Sequence, residues 1–288
     1  MTIPKHILDK FPKLSNDKLL NNLSLPRGRN KMILDTDTAN EIDDQFALAW
    51  TLLSNDKIDL LGVTAEPYSF QHHKEELFEA YDIITNNKKI DSSNQELVNN
   101  YYNWVNGLIE SKKHPNDIYF DTPKEGVEKS YQEIINIFKK LDKNHEGKVF
   151  RGSHKYLENL DEPLDTESSQ FIIDMCLKHP NEKIYVCAIG CLTNIASALL
   201  MKPEIIKNMV VVWTAGFPTF SFNHNKNSLN LVQDVYASQL LFECGVANVY
   251  LPGFNVGAQL TLSLPDMKEF VKGKGKIGDY LYHLYTNN

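Results

Sequence analysis

Apolar and polar positions along this chain fall into blocks that switch between two periods. Residues 32–34 form a short apolar run, and residues 43–53 carry Phe46, Ala47, Trp50 and Leu53 at helical spacing, which predicts a strand, a turn and a helix. Residues 58–65, Ile-Asp-Leu-Leu-Gly-Val-Thr-Ala, are a nearly unbroken apolar run bounded by Asp and Pro, as in a strand buried on both faces of a parallel sheet. The same reading predicts helices over 128–141, 168–178, 193–200 and 234–244, and strands over 148–150, 183–189, 209–214 and 249–252. Strands alternating with helices imply an α/β fold with a mostly parallel, doubly wound, Rossmann-like sheet. A single domain over residues 1–288 is expected, with two departures from the rhythm. Residues 1–30 read as an N-terminal arm packed onto the domain, with a short amphipathic piece at 19–25. Residues 70–120, rich in Lys, Asn, His and Tyr, read as a helical insertion with a polar loop at 86–94.

Composition adds exclusions. With 42% hydrophobic and 23% charged residues, the chain can bury a sizeable core and is not a disordered one. A net charge of −7 argues against a nucleic-acid partner, which needs a basic face. No N-terminal stretch resembles a signal peptide, and no run approaches the ~20 apolar residues of a membrane span, so a cytoplasmic protein with no membrane partner is expected. Of the four cysteines, Cys187 and Cys191 have the C-x₃-C spacing of some metal sites. Cys187 lies in a strand-like run and no His pair follows, so buried, reduced thiols are expected instead.

The candidate chemistry lies in residues 35–44, where Asp35, Asp37, Glu41, Asp43 and Asp44 crowd together directly after the first apolar run. Two carboxylates about 4 Å apart repel by roughly 4 kcal/mol at an effective dielectric near 20, so such a cluster must be solvated, protonated or bound to a cation. Its donors are all oxygens, which favours a hard ion such as Ca²⁺ or Mg²⁺ over Zn²⁺. Asp43 and Asp44 alone are ordinary residues for a helix N-terminus. Asp35 and Asp37, at the carboxyl end of a parallel strand where ligands bind, are not explained that way.

An apolar strand followed by Asp-x-Asp opens two enzyme families. The haloacid dehalogenase type of phosphotransferase would use Asp35, Asp37 and Thr38, but its second acidic pair comes far downstream. The chain resembles the nucleoside hydrolase family more closely, with Asp35-Thr36-Asp37, a loop over 38–42 that lacks the usual Pro-Gly, then Asp43-Asp44 and an apolar helix. Residues 183–196 are similar to that family's strand, its Gly-x-Leu-Thr-Asn turn (Gly190 to Asn194 here) and its following helix. Residues 202–206, 210–213 and 229–234 continue the match. The resemblance covers about residues 31–66 and 121–263.

The resemblance implies Ca²⁺-dependent hydrolysis of the N-glycosidic bond of a ribonucleoside, inosine- or uridine-preferring, to free base and ribose, by a homo-oligomer. Carried over by position, Asp37 is a calcium ligand and the base that takes a proton from water. Asp44 holds the ion with both oxygens, Ile189 contributes its backbone carbonyl, and Asp35 supports the cluster from behind. Asp43 and Asn230 hydrogen-bond ribose hydroxyls. Phe217, Phe220, Phe222 and His224, in the loop after strand 209–214, are candidates to face the departing base.

Three family features have no counterpart. A further acidic residue expected ahead of a C-terminal apolar helix does not occur before Asn288, and Asp279 lies too early, so the C-terminal end of the family domain is expected to be absent. Ser228 stands where many members have Glu, and Tyr68, Ser69 and Phe70 occupy the place of an Asn. Two alternatives therefore stay open: a hydrolase-like protein of weak or no activity that binds ribose or nucleoside or serves in assembly, and a Mg²⁺-dependent phosphotransferase using Asp35.

Overall fold

A computed structural model describes residues 2–218, 220 and 228–287, and the chain forms two compact units, Met1–Tyr68 with Pro123–Asn288, and Ser69–Thr122. The larger unit contains a six-stranded sheet whose strands are β1 (Asn30–Thr36), β2 (Ile58–Ala65), β3 (Val149–Arg151), β4 (Ile184–Ala188), β5 (Met209–Ala215) and β6 (Ala247–Pro252). Every pairing is parallel, in the order β3-β2-β1-β4-β5-β6. The chain runs outward from β1 to β3, returns to place β4 on the other side of β1, and runs outward again. The strand order therefore reverses between β1 and β4, the point at which sheets of this kind leave a crevice outside the carboxyl ends of their strands.

Among the described residues, the α-helices of four or more residues number in chain order α1 (Lys5–Leu8), α2 (Asn16–Asn22), α3 (Asp43–Leu53), α4 (Lys74–Thr85), α5 (Gln95–Glu110), α6 (Pro123–Lys140), α7 (Glu167–Lys178), α8 (Thr193–Met201), α9 (Leu229–Val232), α10 (Val235–Glu243) and α11 (Gly275–Asn287). Successive strand residues point to opposite faces, and β1 shows the result: Ile33 enters one core, with residues of α7, α8 and α10, and Leu34 the other, with residues of α3, α6 and α11. Both faces being covered, the strands read as unbroken apolar runs. Helix α8 is buried from Thr193 through Leu200, so it is apolar nearly all round. Ile3, Ile7 and Phe11 of the N-terminal arm are buried in the first core.

Two boundaries differ from the pattern. Helix α6 begins at Pro123 instead of near residue 128, because proline fits the first helical position. Gly126 sits where a Cβ would come 2.0 Å from the Tyr68 carbonyl, so the first turn is pressed against the chain leaving β2. Strand β6 begins at Ala247, where hydrogen bonding to β5 extends the shorter apolar run. The smaller unit holds α4 and α5 around Leu77, Ala80, Tyr101, Val105, Leu108 and Phe120, with the polar stretch 86–94 between the two helices. Among the described residues no helix is long and apolar enough to cross a membrane.

Candidate active site

The crevice between β1 and β4 is lined by the acidic loop that follows β1 and the glycine turn that follows β4. Asp35, in register with Thr64 on one side and Ala188 on the other, is fully buried. Thr64 Oγ1 donates to its Oδ1 at 2.5 Å and Asn194 Nδ2 at 3.0 Å. Asp37, also buried, accepts at Oδ2 from Asn40 Nδ2 at 3.0 Å, and its carbonyl accepts the Asn40 amide at 3.0 Å. Ala39, inside that turn, has φ 90°, a left-handed conformation that costs an alanine energy. Asp44, in the first turn of α3, is buried and accepts from Thr36 Oγ1, which also meets Thr38 Oγ1 at 2.8 Å. Asp43, the next residue toward the N-terminus, is exposed.

The second wall is built from β4. The Ile189 amide donates to the Asp35 carbonyl at 2.9 Å, which brings the turn over the end of β1. A Cβ on Gly190 would stand 3.0 Å from Asp37 Cγ, so any side chain there would push that carboxylate away by a few tenths of an ångström. Trp213 Nε1 donates to the Gly190 carbonyl at 3.0 Å and fixes the turn from below. Asn230 Nδ2 donates to the carbonyls of Ile189 (2.9 Å) and Thr214 (3.1 Å). It therefore ties β4 to β5, leaving its side-chain carbonyl as the acceptor group.

Burial dominates the electrostatics. It pushes Asp37 up to about 7 against the hydrogen bonds from Asn40 and the backbone, with help from the charges of Glu41 and Asp43. Asp44 is pushed well up by burial and then by Asp37. None of the ion pairs among the described residues involves Asp35, Asp37 or Asp44. Such a site binds protons or a cation.

No three His, Cys, Asp or Glu side chains are grouped as a metal cage among the described residues. The oxygen donors on the loop and at the start of the turn, the Asp37 and Asp44 carboxylates and the Ile189 carbonyl, fit a hard divalent cation in kind, with water or ligand oxygens completing its shell. The four cysteines are free thiols, and burial pushes Cys187 up to about 12, so the C-x₃-C spacing is a packing feature.

Sequence reasoning missed Glu66, which is fully buried just past β2 and pushed well up by burial and by Asp35. Tyr156, in the segment after β3, was also missed; its hydroxyl donates to Gln233 Oε1 at 2.6 Å, and it feels the charge of Asp37. Of the aromatic candidates, Phe217 stacks on Phe254 at 4.5 Å and Phe220 is exposed. Phe222 and His224 lie outside the described residues.

Residues 32–287 match the family model described as inosine-uridine preferring nucleoside hydrolase. A probable uridine nucleosidase 2 of Arabidopsis thaliana is 24% identical over 257 residues, covering 88% of this chain and 68% of the relative. Among solved structures, a purine-preferring ribonucleoside hydrolase from Gardnerella vaginalis superposes with TM-score 0.56 at 20% identity, over 88% of this chain and 70% of the other. A plant nucleoside hydrolase gives TM-score 0.55 at 18% identity, over 88% and 69%.

Proposed function

This chain belongs to the inosine-uridine preferring nucleoside hydrolase family, and from that premise we propose that it cleaves the N-glycosidic bond of a ribonucleoside with water at the crevice between β1 and β4, assisted by Ca²⁺. The observation that carries this reading is the burial of Asp37, just past β1, and Asp44, in the first turn of α3, with no cationic side chain among the described residues paired to either. Asp37, Asp44 and the Ile189 carbonyl would hold the cation. When bound, it supplies charge that acidifies water and orients the ribose diol.

In this mechanism a water oxygen bonds to C1′ as the C1′–N bond breaks, and the electron pair of that bond leaves with the base, which takes up a proton from solvent. Asp37 takes the proton released by that water. The oxocarbenium-like sugar that develops is stabilised by the negative field of the buried carboxylates. Asp35 holds the loop from behind through Thr64 and Asn194. Its full burial disfavours the use of Asp35 as a phosphotransferase nucleophile. Asp43, exposed at the rim, and the Asn230 side-chain carbonyl are the groups that would meet ribose hydroxyls. The substrate is a small molecule and the assembly a homo-oligomer.

The test is ribose release from inosine, uridine and a nitrophenyl riboside, with calcium or with chelator, for the native chain and Asp37→Asn. Calcium-dependent release that disappears in Asp37→Asn is expected. No release above the Asp37→Asn background from folded protein would reject the activity.

A further inference from the structure

Glu66 has no role in the mechanism above, yet its hydrogen bonds reach three elements. Its amide donates to the Thr36 carbonyl at 2.8 Å. Its Oε1 accepts the Asn194 amide, in the first turn of α8, at 2.9 Å, and its Oε2 accepts the Cys191 thiol at 3.3 Å. The charge of Asp35 acts on its carboxyl, and Asp35 Oδ2 is buried with no hydrogen-bond partner among the described residues. Asn194 closes the ring by donating from Nδ2 to Asp35 Oδ1 and to the Ala65 carbonyl, each at 3.0 Å.

The ring has little room to relax. A Cβ on Gly152 would stand 2.1 Å from the Ala65 carbonyl and 2.6 Å from Asn194 Oδ1, so backbone is pressed against it from β3. The turn it grips, residues 190–194, is the one that presents the Ile189 carbonyl and brings Gly190 against Asp37. We propose that Glu66 is a positioning residue, which clamps Asp35 and the turn after β4 together so that the Ile189 carbonyl and the Asp37 carboxylate converge on one cation. The proposal rests on the reading of Asp37 and Asp44 as cation ligands.

Terbium luminescence titration measures cation affinity without turnover, and thermal melts measure folding in the same samples. Glu66→Ala should weaken terbium binding about 10-fold or more, the loss typical when an outer-shell partner of a metal site is removed. Glu66→Gln, which keeps an acceptor for the Asn194 amide and offers a donor to Asp35, should restore most of it. Glu66→Asp keeps the carboxyl but shortens its reach, so it should bind weakly too, and it serves if Glu66→Ala does not fold. Asn208→Ala breaks bonds to the carbonyls of Cys176, His179 and Glu182 away from the crevice. It should lower the melting temperature and leave terbium affinity unchanged.

Native affinity in folded Glu66→Ala or Glu66→Asp would overturn the proposal. So would Glu66→Gln binding as weakly as Glu66→Ala, which would make the charge itself a ligand. A wild-type chain with no affinity for terbium would remove the cation site, and the proposal with it.

Discussion

Replacing Asp37 by Asn should stabilise the calcium-free protein at pH 8 relative to wild type far more than at pH 5. Burial holds the Asp37 carboxyl up to about 7, against an ordinary 3.8. The folded chain therefore keeps a proton that the unfolded chain has released. Stability from such a group is fully present below the unfolded value and is lost as pH rises through the folded one. Between pH 5 and 7 the loss is ~1.4 kcal/mol per pH unit, about 3 kcal/mol in all. Asp44, raised by burial and by Asp37, acts in the same direction, so the titration observed belongs to the pair. Asn has nearly the shape of Asp and no charge to expose. In chelator-treated samples the melting-temperature difference between Asp37→Asn and wild type should grow by roughly 6 °C from pH 5 to pH 8. Added calcium should then stabilise the wild type at pH 8 and not the variant. A difference that is the same at both pH values would refute the reasoning, because it would mean that Asp37 ionises in the folded state as freely as in the unfolded one.

Two further substitutions probe the walls of the crevice. Gly190→Ala puts a methyl group 3.0 Å from Asp37 Cγ, and overpacking of this kind costs about 1–3 kcal/mol. Ribose release should fall about tenfold or more, out of proportion to a modest loss in melting temperature. Ala39→Gly relieves a backbone held at φ 90° and should raise stability by about 1 kcal/mol in denaturant unfolding, the strain released exceeding the entropy lost by glycine.

The sheet was legible because its strands are buried on both faces, so that apolar runs such as residues 58–65 marked them without ambiguity. Asp35 and Asp37 stood out because helix capping does not account for acids at the end of the preceding strand, whereas Asp44 stood out only beside them. Glu66 was not. A glutamate at the end of a strand reads as a surface residue until the turn after β4 is known to fold over it, and the atoms that satisfy it come from Asn194 and Cys191, far along the chain. The start of α6 was missed for a similar reason: Gly126 weakens a helical pattern locally, and its value lies in the backbone of Tyr68 that it admits. Asn230 was marked by the family resemblance of residues 229–234, but its use of both amide hydrogens on the Ile189 and Thr214 carbonyls could not be read from spacing.

The pairing of β1 with β4 also bears on how the molecule comes into being. Asp35 and Asn194, joined by one hydrogen bond, are 159 positions apart in the chain. Loop closure over such a span is entropically costly before any contact rewards it, and folds dominated by distant pairings form slowly. During synthesis the acidic loop leaves the ribosome long before the turn that cradles it. A nascent chain ending short of Asn194 carries every one of the clustered carboxylates with half of their setting missing, so that the crevice cannot acquire its final form until the turn after β4 has been made.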